Sequence, residues 1–360
     1  MNDKSRIITK DWVRGLSTAG VLGIALFSAI GHAAPPAALE SPKERRVVVI
    51  ANTTAEADGL MAVLNSTDVR PKSLGPPRPA EQYVHQSSGH PPEGLRGFYS
   101  TNGITVEFWC VWELKGSGES IDGTLNKVRE LPNVIQPTGK VSPAMVVAFG
   151  TAAGHWDTSY NGSVVVGSAV LFHSLRALED KEVTEALARR GVAEDQIIES
   201  PLGWDLLSSK PLSDLLRDRR AEIEAKFVKP PLNPAADAIL LLSPNRLGLS
   251  SINVSAARDY ARADKETLDV ARDAMSKSAT TFEVGGVETT HALIRAFTPA
   301  DAPFIYITAI TNRLGYFPME LTPRRAAQHV AVINNAGVVA AYLVDWILKA
   351  PNTLARAPRG

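Results

Sequence analysis

Two carboxylates and a carboxamide mark where this chain could do chemistry. Glu56 follows the short apolar run Val47 to Ala51 and opens a helical stretch. The pair Val287-Glu288 precedes a second helical stretch, and Asn312 closes the apolar run Phe304 to Thr311. A glutamate whose pKa is tuned by its surroundings can orient or deprotonate water. Asparagine has no proton to transfer and offers an amide donor and an amide oxygen. Gly150-Thr151 adds backbone N–H groups and a hydroxyl suited to a polar or anionic group. Each residue also has a purely architectural reading. Glu56 and Glu288 could be first-turn helix acids favoured by the macrodipole, Thr151 a helix cap and Asn312 a strand terminus. His173 and His291 lie among apolar residues, as satisfied core histidines do.

The elements that must position these groups follow from the apolar pattern. Val47 to Leu64 reads as strand, polar turn and helix, with apolar residues at helical spacing after Asn52. The stretch Arg70 to Gly97 is rich in Pro and Gly and reads as an excursion, and Gly103 to Trp112 as one strand of a hairpin or meander. A helix near Ile121 to Leu131 precedes the apolar strand Ala144 to Phe149, which the turn Gly150-Thr-Ala-Ala-Gly154 is expected to close. Asn161-Gly162 is a turn signal ahead of another strand leading to His173. Leu178 to Lys229 is charged and helical, including Asp214 to Phe227, and reads as a solvated surface. Ala238 to Ser243 is a buried strand, and Thr322 to Leu348 a long terminal helix. Apolar strands separated by helices predict a sheet covered on both faces, because a strand buried on both faces loses its alternation.

Composition narrows the partners. The chain has 360 residues, 44% of them apolar, with 38 Lys plus Arg against 38 Asp plus Glu. Zero net charge supplies no basic field for a nucleic-acid polymer. Cys110 is the single cysteine, which excludes an internal disulfide and a cysteine-based metal cluster. Lys4, Arg6, Lys10 and Arg14 precede the mostly apolar run Leu16 to Ile30, which ends in small residues before Pro35. That pattern predicts a secretory signal over residues 1–33, cleaved near Ala33, and a periplasmic or secreted protein. The competing reading, a transmembrane anchor, needs about 20 apolar residues, more than this run provides. Residues 34–45 read as a linker, 46–350 as the folded domain with insertions near 70–97 and 178–234, and 351–360 as a disordered tail.

Three motifs in order resemble the nucleoside phosphorylase and purine nucleosidase superfamily. They are the strand and acidic turn from Val47 to Leu64 with Glu56; Val146 to Gly154 followed by Gly162-Ser-Val-Val-Val; and Val287-Glu288 ahead of the strand ending Ile-Thr-Asn312. The resemblance spans about Val47 to Ile347. It implies a single α/β domain whose central mixed twisted β-sheet is partly closed into a barrel and flanked by helices. It also implies cleavage of a purine nucleoside without a cofactor, and a homo-oligomer. By the same resemblance, Glu56 activates water, Glu288 and Val287 hold the ribose, and Gly150 and Thr151 lie near the sugar. Asn312 meets the base, with His173 as a further ligand contact. Asn253 falls where the superfamily brings in a base-stacking aromatic, which Tyr260 or Trp204 would replace. Adenine-cleaving members carry aspartate where this chain has Asn312, and an amide suits a 6-oxopurine, whose O6 and N7 are acceptors. Hexameric phosphorylases carry a phosphate-binding arginine where this chain has Ala148, and no basic residue lies in Asn52 to Gly59 or Ala144 to Gly154. Hydrolysis is therefore expected, with phosphorolysis or simple nucleoside or base binding as the alternatives.

Overall fold

The computed structural model describes residues 45–83, 91–101, 103–118, 121–138, 141–157, 160–173, 181–192, 196–232, 237–242, 246–251, 260–277, 283–288, 290–320, 325–350 and 354. The expected signal segment, Asn253 and most of the expected tail lie outside these residues, although Leu354 packs into the core. In chain order the elements are β1 (Arg45–Ala51), α1 (Thr54–Asn65), β2 (Arg78–Pro79), β3 (Leu95–Thr101), β4 (Ile104–Cys110), α2 (Ile121–Ile135), β5 (Met145–Gly154), β6 (Val164–Gly167), β7 (Ala169–His173), α3 (Lys181–Ala188), β8 (Gln196–Glu199), α4 (Pro201–Ser208), α5 (Lys210–Asp218), α6 (Arg220–Glu224), β9 (Leu240–Leu242), β10 (Arg246–Ser251), α7 (Tyr260–Lys277), β11 (Glu283–Glu288), α8 (His291–Phe297), β12 (Phe304–Arg313), α9 (Phe317–Glu320) and α10 (Arg325–Lys349).

The described strands form one mixed sheet in the order β2-β3-β4-β1-β5-β11-β10-β7-β8, with β12 on β5, β6 on β12 and β9 on β6. Strand β5 is the axis of this arrangement. Strand β1 runs parallel to it over Met145 to Phe149, and β12 runs parallel along its other edge from Val146 to Gly154. Where β1 stops, β11 takes over that edge, pairing Val287 with Ala153. One arm then continues through β10 to β7 and the other through β12 to β6, and only Ser168 separates β6 from β7.

Side-chain alternation on the central strands splits the core in two. Val47, Val49, Met145, Val147 and Phe149 face α1 and α10, packing with Leu60, Val63, Val332 and Val339. Val48, Ile50, Val146 and Ala148 face the other way, toward Leu131, Ile135, Leu293 and Phe297 of α2 and α8. Both faces of the central strands are therefore apolar, as the unbroken runs predict. Helix α10 is long and apolar enough to cross a membrane, but 83% of its most apolar window is buried within the protein, so here it is a core helix. It approaches α1 closely because each helix presents a glycine. A Cβ on Gly59 would lie 2.2 Å from Ile333 Cγ2, and one on Gly337 would lie 2.9 Å from Val63 Cγ2.

Several local expectations change. Gly150 and Thr151 form no turn, because β12 continues the ladder to Gly154 and keeps β5 extended. Glu288 does not open a helix; it ends β11, and α8 begins at His291. The expected helix Asp214 to Phe227 is two helices, broken at Arg219 (φ −96°, ψ 0°), which lies in the sparsely allowed bridge region. Helix α2 continues past Leu131 to Ile135 through Pro132, whose neighbours Leu131, Val134 and Ile135 are buried against the sheet.

Candidate functional site

The site assembles where β5 runs out of the core. Helix α1 begins with a capping box: Thr53 Oγ1 accepts from the Glu56 amide, and Glu56 Oε2 accepts from the Thr53 amide at 3.0 Å and hydroxyl at 3.1 Å. The second carboxylate oxygen reaches across to the sheet. Glu56 Oε1 accepts from the Thr151 amide at 2.7 Å and from Thr151 Oγ1 at 2.8 Å. Glu56 is 3% exposed, and with these four donors the roughly four lone-pair sites of its carboxylate are filled. Glu56 is thus both a helix cap and the link between α1 and β5.

Asn312 reaches the same place through an irregularity. The β12–β5 register pairs Ile310 with Ala152 and then Asn312 with Ala153, leaving Thr311 as the extra residue of a bulge. Register partners share a face and alternate residues of a strand return to it, so the bulge turns Asn312 to the face of Ala153 and Thr151. Without it, Asn312 would pair with Gly154 and point the opposite way. The amide is then oriented locally. Thr311 Oγ1 donates to Asn312 Oδ1 at 2.6 Å, and Asn312 Nδ2 donates to the Arg313 carbonyl at 2.8 Å. Gln328 of α10 fixes the bulge by donating to the Thr311 carbonyl at 2.7 Å. Asn312 is 1% exposed, so its remaining N–H and lone pair are shielded from bulk water.

The backbone register brings the other expected residues to the same end of the sheet. Val287 pairs with Ala153, Glu288 with Ser250 and His173 with Ser251, so β11, β10 and β7 finish side by side. Glu56, Gly150, Thr151, Asn312 and Val287-Glu288 therefore converge on the last turns of one strand, with His173 two strands further along. Trp204 does not belong to this group. Its helix starts at Ser200, whose Oγ accepts from the amide of Phe304 at the opposite end of β12.

Three groups here escaped the sequence reading. Lys127 of α2 is 1% exposed, with Nζ 3.5 Å from Asn52 Oδ1 and 5.5 Å from the Trp112 ring centre. A cation thus stands beside the end of β1, brought there by a helix some seventy residues away in the sequence. Asn161, 3% exposed, precedes the Gly162 turn, whose amide bonds the Ile310 carbonyl beside the bulge, and among the described residues neither polar atom of the Asn161 side chain has a partner. Trp156 follows β5 by two residues, stacked on His155 with ring centres 4.3 Å apart and with Arg272 near its ring. A local motif search has no means of finding Lys127, and only an aromatic following a strand end hinted at Trp156.

Charges near the strand end are paired. Arg313 is held by Glu320 at 2.6 Å and lies over the Tyr316 ring. Asp264 accepts from the Phe317 amide, and burial pushes its carboxyl above the usual range, with Glu320 adding to the rise and the Phe317 and Gly315 amides opposing it. Among the described residues, no group of three or more His, Cys, Asp or Glu is placed to hold a metal ion. Cys110 is buried, and burial, reinforced by Glu113, raises its thiol pKa.

No family model matches this sequence, and no curated protein matches it. Among solved structures the chain is similar to a 5′-methylthioadenosine/S-adenosylhomocysteine nucleosidase of Campylobacter jejuni, at 11% identity and TM-score 0.46 over 85% of this chain and 99% of that one. The corresponding nucleosidase of Colwellia psychrerythraea, solved with adenine, is 14% identical, with TM-score 0.47 over 84% and 96%. Futalosine hydrolase of Helicobacter pylori is 13% identical, with TM-score 0.46 over 85% and 100%.

Proposed function

We propose that the protein hydrolyses the N-glycosidic bond of a purine nucleoside, releasing the free base and ribose. The observation that carries this reading is the convergence of Glu56, Thr151, Asn312 and Val287-Glu288 on the end of β5. Breaking such a bond builds positive charge on the sugar and negative charge on the leaving base. A catalyst must therefore hold the sugar, stabilise the base and direct a nucleophile. Glu56 directs the water. Its two backbone donors are fixed, but the Thr53 and Thr151 hydroxyls are rotors, and turning either proton away frees a lone pair on the carboxylate for water. Glu288 receives the ribose hydroxyls. Asn312 uses its remaining amide N–H and lone pair on the base and favours a 6-oxopurine, since it has no acidic proton to give to an adenine. The reading includes export after cleavage near Ala33 and assembly as a homo-oligomer.

Phosphorolysis is the second reading, and Lys127 is the observation that favours it, because a buried ammonium beside Asn52 is a cation the local sequence lacked. The test is incubation of the purified protein with a nucleoside panel, with and without phosphate, and chromatography of base and sugar. Phosphate-independent release of hypoxanthine or guanine is the expected result. Release only with phosphate, giving ribose 1-phosphate, transfers the assignment to a phosphorylase. Saturable binding without release leaves a nucleoside-binding protein.

A further inference from the structure

We propose that the cavity at the β6–β7 junction is a second ligand site, one that takes a small organic ammonium ion. The cavity measures about 310 Å³ and is lined by Ser168, Ala169, Glu199, Ser200, Trp204 and Asp205, with Pro201 at its side. That volume is at the lower end of the range for small-molecule sites, about 300–1,000 Å³. Its Ser200 end lies away from the site described above, while Ala169 at its other end packs in one apolar cluster with Ala153 and Trp156. Ser200 meets Phe304 at the start of β12, and Asn312 lies eight residues along the strand, about 26 Å away at the usual strand rise.

Three independent features define the ligand. Ser168 is 1% exposed and among the described residues its hydroxyl has no partner, a buried polar atom that calls for one. Its carbonyl is already taken by the Ser200 amide at 3.2 Å. Glu199 and Asp205 line the same cavity, and among the described residues neither carboxylate forms an ion pair. The neighbouring acids Asp214, Glu222 and Glu224 are each paired with Lys210, Arg217, Arg219 or Arg220. Arg295 donates to the Glu199 carbonyl at 2.6 Å. Trp204 supplies the third feature, an indole between the two acids in sequence. Two uncompensated carboxylates repel an anion, and an aromatic face with a hydroxyl acceptor beside them matches an alkylammonium group. Burial of Gly203 against the Phe304 carbonyl, where a Cβ would lie 1.9 Å away, fixes α4 and therefore the Trp204 wall of the cavity.

The experiment titrates the full chain with choline and ethanolamine, and in parallel with 3,3-dimethyl-1-butanol, the neutral carbon isostere of choline, by calorimetry and tryptophan fluorescence. One or both ammonium compounds are expected to bind saturably, at least tenfold more tightly than the neutral isostere and more weakly as salt is raised. Trp204→Leu and Asp205→Asn are each expected to weaken that binding about tenfold. Asp205 is exposed, so its variant tests the idea even where Trp204→Leu fails to fold. Absence of saturable binding by both ammonium compounds, equal binding of the neutral isostere, or full binding by Asp205→Asn overturns the proposal.

Discussion

Replacing Thr151 with valine keeps the shape of the side chain and deletes one hydroxyl. The deleted group donates to Glu56 Oε1 at 2.8 Å, across the junction between α1 and β5. A hydrogen bond to a charged group contributes about 1.5–3 kcal/mol. At about 2.1 cal/mol/K of unfolding entropy per residue, a domain of about 300 residues shifts by about 1.6 °C per kcal/mol, so a loss near 2 kcal/mol lowers Tm by about 3 °C. Glu56→Gln probes the same junction from the other side. An amide has one acceptor edge, whereas Glu56 faces backbone N–H groups on both edges, Thr53 and Thr151. One buried N–H is then left opposite another donor, a loss of about 1–3 kcal/mol. The two substitutions disturb one cluster, so urea denaturation of both single variants and the double variant is expected to give a coupling of at least about 1 kcal/mol. Nucleoside cleavage, measured on the folded proteins, is expected to fall in both. Additive effects on stability, or a Thr151→Val loss below about 0.5 kcal/mol, refute the claim that this bond joins α1 to β5.

Gly59→Ala forces a methyl against Ile333 Cγ2 and is expected to destabilise by about 1–3 kcal/mol, as overpacking does; in thermal denaturation Ile333→Ala is expected to cost less in the Gly59→Ala background than alone. Glu107 is fully buried and accepts from Arg46 Nε at 2.7 Å, the Tyr83 hydroxyl at 2.6 Å and Trp109 Nε1 at 2.8 Å. Glu107→Ala leaves the Arg46 charge unpaired and is expected to lose about 3–5 kcal/mol by urea unfolding, whereas Asp214→Ala, which removes solvent-screened ion pairs on α5, should shift the midpoint far less. Asp264 binds its proton more tightly when folded, because burial raises its pKa above the ordinary 3.8. Its contribution to stability is therefore greatest below that value and is lost as pH rises through the raised one, and Asp264→Asn should flatten this part of the stability profile. Parallel pH profiles of the two proteins would contradict that assignment.

Much of the frame was legible because β1, β5 and β12 are buried on both faces and so appear as unbroken apolar runs. Their order, each followed by a helix or a polar stretch, also gave the mixed covered sheet. Glu56 was legible as a first-turn acid, and the structure makes it a helix cap that also bonds Thr151 of β5. What escaped was decided by neighbours distant in sequence. Thr151 looked like part of a turn because Gly150 precedes it, but pairing with β12 more than 150 residues later holds it in a strand. Glu288 looked like a helix start because α8 follows closely, yet pairing with Ser250 of β10 makes it a strand end. The bulge at Thr311, which decides where Asn312 points, has no composition signal of its own, and Lys127 reaches the site only through the packing of α2.

The position of β12 in the sheet constrains how the chain can be made. This strand lies between β5 and β6, and α10, which follows it, covers α1 and the face of β1. Until residues 304–349 emerge from the ribosome, β5 and β6 each keep an unsatisfied edge and the apolar face of α1 stays uncovered. The nascent chain can pair β1, β3, β4 and β5 early, but the sheet is completed only once residues 304–349 are made. A chain handled this way stays open to chaperones, and to any machinery that threads unfolded polypeptide, until translation of those residues is complete.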